Sequence, residues 1–103
     1  MSAGPTKTAT VGDAYQKLCD MYGLDSNKIW IGTTAANKVL ISALTKSADI
    51  AWGETTPVVV GHPIAAGDSY TLSGLYEIGY AWVRNTVAGD TATLIITPFQ
   101  AYD

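Results

Sequence analysis

The sequence contains very few of the residues that build catalytic and metal sites. Among its 103 residues there is one cysteine, Cys19, and one histidine, His62. A single cysteine excludes an internal disulfide and any zinc site made of several cysteines. No Gly-x-Ser-x-Gly nucleophile motif accompanies His62, so we interpret it as a structural or surface residue rather than a general base. We therefore predict a protein that is not an enzyme and that uses neither a cofactor nor a metal ion.

Charged side chains are also scarce. They make up 15% of the chain, whereas about 25% is typical of soluble domains. Six Lys and Arg residues against nine Asp and Glu residues give a formal net charge of −3. This acidic balance argues against a protein that neutralises nucleic-acid phosphates. A small surface with so little charge is typical of one that neighbouring subunits cover, so the composition predicts a homo-oligomer without a nucleic-acid partner.

Long hydrophobic segments are missing as well. The apolar runs, such as residues 57–60, are far shorter than the roughly 20 residues of a membrane-spanning helix. Residues 1–7 lack the apolar stretch of a secretory signal. We therefore expect synthesis in the cytoplasm and no membrane partner.

The first eleven residues are rich in small and polar residues and show no apolar period. We predict that residues 1–11 form a flexible arm and that residues 12–103 form a single domain. An arm that becomes ordered on a neighbouring molecule enlarges the buried area at a cost in conformational entropy. Thr6, Lys7 and Thr8 are therefore candidate interface residues.

One helix is predicted, over about residues 14–22, because apolar residues recur there at spacings of three and four. Asp13 and Gln16 form a variant of the capping box at its start. Gly23 stands where a left-handed C-terminal cap belongs. The apolar stripe consists of Tyr15, Leu18, Cys19 and Tyr22.

The rest of the chain has the composition of strands. Thirteen Thr, eight Ile and seven Val residues are β-branched, and such side chains favour a pleated surface. Short strands with turn signals at regular spacing predict a mainly β protein, an antiparallel β-sandwich of jelly-roll-like type. We predict strands at Lys28–Gly32, Lys38–Leu44, Asp49–Trp52, Pro57–Val60, Ser69–Ser73, Ile78–Arg84 and Thr91–Thr97.

Two similar segments, residues 66–72 and 88–94, each begin with Ala-Gly-Asp. A duplicated strand unit would explain them. The simpler interpretation is that Ala-Gly-Asp makes a tight turn before a Thr-rich strand, since Gly accepts a positive φ and Asp bonds the backbone ahead of it. We favour the turn.

The aromatic residues are the strongest candidates for a binding surface. Alternation along residues 78–84 places Tyr80, Trp82 and Arg84 on one face of a strand, and Ala81 and Val83 on the other. Tyr, Trp and Arg dominate the energetics of protein–protein interfaces. Trp30 and Trp52 lie on predicted strands too, and Trp52 joins the candidate interface residues. The alternatives are that Trp82 faces the core, or that the aromatic row stacks on the rings of a glycan.

The order of turns and strands between Ala48 and Ile96 resembles that of small bacteriophage virion proteins, a family that includes head-decoration or cement proteins. The resemblance lies in the segments Asp49–Gly53, Gly61–Leu72 and Tyr80–Leu94. It covers about half of the chain, excludes the N-terminal helix, and contains no catalytic signature. It implies successive strands of a β-sandwich.

The resemblance implies a structural protein of the virion that binds the major capsid protein and stabilises the head. Its partners would be the capsid and further copies of itself, in a trimer by family geometry or else in a dimer. Many weak contacts on a symmetric lattice give strong avidity. The alternatives are a tail, fibre or head-fibre module, and a carbohydrate-binding β-sandwich module.

Overall fold

The computed structural model describes residues 2–23 and 27–101. The predicted mainly β, antiparallel fold is confirmed, with two short helices instead of one. The strands are β1 (Ser2–Ala3), β2 (Lys7–Val11), β3 (Gln16–Lys17), β4 (Trp30–Ile31), β5 (Thr34–Ala35), β6 (Lys38–Ala43), β7 (Ala48–Trp52), β8 (His62–Ile64), β9 (Ser69–Ser73), β10 (Ala81–Asn85) and β11 (Ala92–Gln100), and the helices are α1 (Leu18–Tyr22) and α2 (Leu75–Gly79).

Two antiparallel sheets form the sandwich. The five-stranded sheet has the order β1-β11-β6-β9, with β2 also paired to β11. The four-stranded sheet has the order β3-β10-β7-β8, and β4 and β5 form a separate hairpin. Buried side chains of both sheets belong to one continuous core cluster, which includes Ile41 and Leu94 from the first sheet and Ile50 and Val83 from the second.

The longer strands follow the period of two that a half-buried strand requires. Burial alternates residue by residue along β6, β10 and most of β11. Apart from Asn85 and Pro98, the inward positions carry Val, Ile, Leu or Ala, and β-branched side chains fit the pleated inner surfaces. This alternation fixes the register, because a slip by one residue would turn every apolar side chain outward.

The predicted flexible arm is wrong for the residues that the structure describes. β1 and β2 pair with β11, so that Ser2 lies opposite Gln100 and Val11 opposite Ala92. Val11 is fully buried in the core. The Thr-rich segment covers the edge of β11 that faces away from β6.

The helix is shorter than predicted, and Asp13 does not cap it. Lys17 occupies the N-cap position and makes no side-chain cap bond. Residues 16 and 17 instead pair with β10, so the sheet takes the backbone that a longer helix would need. Gly23 does end the helix, but with an extended φ of −156° rather than a left-handed one. The residues of the apolar stripe are all buried.

Two predicted strands are misplaced. Residues 57–60 are a loop, and the edge strand of that region is β8. Residues 75–79 are helical, so the strand predicted from Ile78 begins only at Ala81. β-branched residues favour a strand only where a neighbouring strand offers hydrogen bonds, and composition does not reveal that neighbour.

The two Ala-Gly-Asp segments are turns, as we interpreted them. Gly67 and Gly89 have φ values of 87° and 86°. The N–H of Asp68 donates to Ala65 O at 2.9 Å, and the N–H of Asp90 donates to Val87 O at 3.1 Å. Each turn leads into a strand, β9 or β11.

Candidate functional site

The outer face of the four-stranded sheet carries the predicted aromatic row in part. Trp82 and Arg84 are half-buried and face outward, while Ala81 and Val83 are fully buried in the core. Tyr80 lies at the C-cap of α2 rather than on the strand. The Lys17 ammonium connects the two aromatic residues, because its Nζ lies 5.8 Å from the ring centroid of Tyr80 and 5.9 Å from that of Trp82.

Arg84 contacts Asp49 and Tyr15 of its own chain through its guanidinium group. Its Nε lies 3.7 Å from Asp49 Oδ2, and its guanidinium lies 4.4 Å from the ring centroid of Tyr15. The other carboxylate oxygen of Asp49 accepts a hydrogen bond of 3.0 Å from the Thr86 hydroxyl. Asp49 is buried, so Arg84 neutralises a carboxylate that would otherwise be costly to bury.

Trp52 does not join this row. It lies opposite Ala81 in the β7–β10 pair, so its side chain is on the core side of the sheet, at the rim of the sandwich. There its ring centroid lies 6.0 Å from that of His62 and 6.0 Å from that of Tyr70. The indole Nε1 donates to Glu77 O at 2.9 Å. Trp52 thus lies on a different surface from Trp82 and Arg84.

The three candidates near the N-terminus lie on the other sheet. The hydroxyl oxygens of Thr6 and Thr97 are 2.8 Å apart, and Thr8 lies opposite Ile95 in the β2–β11 pair. Lys7 donates from Nζ to Tyr22 O at 2.8 Å. These contacts hold the segment against β11 and α1.

A loop of residues 53–61 covers the outer face of the four-stranded sheet. Trp82 Nε1 donates to Gly53 O at 2.9 Å, and the Tyr15 hydroxyl donates to Val59 O at 2.9 Å. Ala51 faces outward beside Trp82 yet is buried. At the far end, a Cβ added to Gly61 would lie 2.5 Å from Ile50 O, so glycine permits this close approach of loop to strand. Two side-chain hydrogen bonds and one close backbone contact hold the loop.

The loop displays three consecutive apolar side chains, Val58, Val59 and Val60, which we call the valine loop. They are 96%, 60% and 82% exposed. Scattered apolar residues on a surface are normal, but contiguous ones mark interaction sites. Our sequence analysis missed this loop because it assigned residues 57–60 to a strand. The available signal was a run of three valines without polar alternation, bounded by Pro57 and Gly61.

The outer face of the five-stranded sheet is rich in hydroxyl groups and almost without charge. Cross-strand register places Leu40 and Ile95 near its centre, and Phe99 beside Lys38 at one end of β6. The hydroxyl oxygens of Ser42 and Ser69 are 2.7 Å apart. Lys38 alone carries a charge among the outward side chains of β2, β6, β9 and β11, which are Thr8, Thr10, Lys38, Leu40, Ser42, Ser69, Thr71, Ser73, Thr93, Ile95, Thr97 and Phe99.

Within residues 2–23 and 27–101 no three His, Cys, Asp or Glu side chains converge to hold a metal ion. The Cys19 thiol is buried and donates to Ile78 O at 3.4 Å. His62 is exposed and contacts the Trp52 ring. Neither helix in these ranges has the length and apolar character to cross a membrane.

Comparison with known proteins assigns no family to the chain. No family model matches it, and neither a curated protein nor a solved structure is found that matches. Function is therefore inferred from the surfaces themselves.

Proposed function

We propose that the chain is a non-enzymatic structural protein of a bacteriophage virion, a decoration subunit that binds the major capsid protein and stabilises the head. The observation that carries this proposal is the valine loop. Three adjacent valines project from a loop that is tied to the sheet at Gly53 and Val59. Such a loop supplies apolar area to a partner and loses little conformational entropy on binding.

The free energy expected from burial of the valine side chains suits a protein that binds a lattice in many copies. Full burial of one valine side chain contributes about 1.5–3 kcal/mol. Part of this is spent on lost translational and rotational freedom, so a single copy would bind weakly. Many copies on a symmetric shell would convert weak contacts into stable attachment.

The hydroxyl-rich outer face of the five-stranded sheet supports the assembly part of the proposal. A surface with Lys38 as its single charged side chain meets little electrostatic repulsion from another copy. Leu40, Ile95 and Phe99 supply apolar area on this face. We propose self-association through this face, in a trimer or else a dimer, on the surface of a virion whose parts are made in the host cytoplasm.

The test is co-sedimentation of the purified chain with heads assembled from the major capsid protein of the genome that encodes it. The variant replaces all three residues of the valine loop by serine. Its bound fraction should fall at least about tenfold, since each lost valine removes up to about 1.5–3 kcal/mol of burial. Its unfolding temperature should stay unchanged, because the three side chains are exposed.

Val87→Ser is the matched control. Val87 is another exposed valine, 59% accessible, in a different turn, and its variant should bind heads as the wild type does. Equal binding by the valine-loop variant and the wild type would refute the role of the loop. A wild-type chain that does not sediment with heads would refute the decoration function.

A further inference from the structure

The rim of the sandwich carries an aromatic surface that the proposed capsid contact does not use. Tyr70 and Tyr76 are exposed beside the half-buried Trp52, and together with Glu77 they line an open depression of about 360 Å³. Glu77 and Tyr76 belong to α2, whose entry from β9 is made by Gly74 with φ 89°. The helix thereby places an exposed phenol ring and a carboxylate beside the indole.

A second depression lies on the other side of Tyr76. Its volume is about 310 Å³, and its wall includes Asn27, Lys28 and Tyr80. The ring centroids of Tyr76 and Tyr80 are 4.6 Å apart. Tyr76, which is 63% exposed, therefore stands between two adjoining depressions. Each has a volume at the lower end of the range for small-molecule sites.

The chemistry of the two depressions matches that of a sugar. The C–H groups on one side of a pyranose ring carry partial positive charge, and they are attracted to the electron-rich face of an aromatic ring. One Glu77 oxygen accepts from the Ser73 N–H at 3.1 Å, and a carboxylate has capacity for further hydroxyl donors. Asn27 and Lys28 line the second depression. The Asn27 Oδ1 accepts from Lys17 Nζ at 3.0 Å, and the Lys28 Nζ lies 5.3 Å from the centroid of the Trp30 ring.

The charges and the acceptor group of the two depressions favour a neutral saccharide. Glu77 lines one depression and Lys28 the other, so a uniformly charged saccharide would meet a like charge in one half. A proline-rich peptide also packs on aromatic rings, but proline has no N–H to donate to the Glu77 carboxylate, whereas the hydroxyl groups of a sugar can donate to it.

We propose that the two depressions bind a neutral oligosaccharide, with one sugar ring against Trp52 and Tyr70 and the next beyond Tyr76, against Tyr80. The site is independent of the valine loop and of the capsid-binding proposal.

The test is calorimetric titration of the full chain with linear pentasaccharides of glucose (β-1,4 and α-1,4), N-acetylglucosamine, xylose and mannose. We expect saturable binding of at least one of them with a dissociation constant in the millimolar range or tighter. Tyr76→Ala should weaken that binding about tenfold or more, since it removes the ring shared by both depressions. Glu77→Gln should weaken it less, because one hydrogen-bond acceptor remains.

Val58→Ala serves as the control for exposed side chains and should keep wild-type affinity. Thermal unfolding of each variant establishes that the fold is intact, which the exposure of Tyr76 leads us to expect. Three results would overturn the proposal: no heat of binding with any of the five saccharides, equal affinity in Tyr76→Ala, or binding of decaproline with none of the saccharides bound.

Discussion

The hydrogen bond between Tyr15 and the valine loop predicts that two substitutions of Tyr15 will have different effects on the loop and on the core. The Tyr15 hydroxyl donates to Val59 O, while its ring is buried beneath the Arg84 guanidinium. Tyr15→Phe removes the hydrogen bond and leaves the ring in place. Tyr15→Ala removes both. Comparison of the two variants therefore separates the contribution of the hydrogen bond from that of the buried ring.

The two variants should differ in the free energy of unfolding. A typical intramolecular hydrogen bond contributes about 0.5–1.5 kcal/mol. Val59 is largely exposed, so water can replace the lost donor. Tyr15→Phe should therefore lower the free energy of unfolding by about 0.5 kcal/mol. Loss of the buried ring in Tyr15→Ala should cost about 3–5 kcal/mol, by analogy with large-to-small changes in cores.

Urea denaturation measures the global effect, and NMR backbone order parameters of residues 58–60 measure the local one. In Tyr15→Phe we expect nearly unchanged global stability with lower order parameters in the valine loop. Capsid binding should weaken as well, because a freer loop loses more entropy when it docks. Unchanged order parameters of residues 58–60 in Tyr15→Phe would show that the hydroxyl does not restrain the loop. A loss of stability as large as that of Tyr15→Ala would show that it supports the core instead.

Two further predictions concern stability. Deletion of residues 1–11 should lower the unfolding temperature, because it removes β1 and β2 and the buried Val11 side chain; a truncated chain that melts with the full chain would contradict this. The pKa of the exposed Asp13 carboxyl is lowered, first by the hydrogen bond from the Asn85 side chain and second by that from the Gly89 N–H. Since its folded pKa lies below its unfolded value, Asp13 stabilises the fold above about pH 4, and this contribution is lost as the pH falls through the folded pKa. The urea midpoints of wild type and Asp13→Asn should therefore differ at neutral pH, and the difference should shrink as the pH falls below about 4. A difference that stays constant with pH would refute a stabilising role of the ionised Asp13.

Sequence reasoning located strands that follow a turn signal, such as Ser69–Ser73, and strands in which apolar and polar residues alternate. Ser69–Ser73 was predicted with its observed bounds, and Lys38–Leu44 differs by one residue from β6. The same alternation placed Trp82 and Arg84 on one face and Val83 on the other, and left open which face was outward. The structure shows Val83 inward. These are local properties, because a period of two reports burial without information about the partner strand.

The elements that were missed depend on contacts distant in the chain. β2 is a strand because β11 offers it a free edge, and residues 16–17 are extended because β10 pairs with them. Neither partner is evident from the short segments themselves. The valine loop was assigned to a strand on composition, but its backbone is held by Trp82 and Tyr15, which lie far from it in sequence.

The hydrogen bonds from Trp82 and Tyr15 to the loop give the outward aromatic residues a different role from the one predicted. Trp82 and Arg84 were candidates for direct contact with a partner, yet the Trp82 Nε1 is bonded to Gly53 O and the Arg84 guanidinium lies over Tyr15 and beside Asp49. An aromatic residue whose polar group is already satisfied within its own chain contributes less specificity to a partner. A loss of capsid binding in Trp82→Ala would therefore be expected to act through the loop, and the valine-loop variant should reproduce it.

The saccharide site and the base of the loop meet at one residue, Trp52, and this decides which variants can separate the two proposals. Trp52 precedes the loop and His62 follows it, and their ring centroids lie 6.0 Å apart at the rim. Replacement of Trp52 would therefore disturb both surfaces and distinguish nothing. Tyr76 lies on α2 and the valines lie at the tip of the loop, so each variant changes one surface only. Loss of saccharide binding in Tyr76→Ala with capsid binding retained, and the reverse in the valine-loop variant, would establish two independent sites.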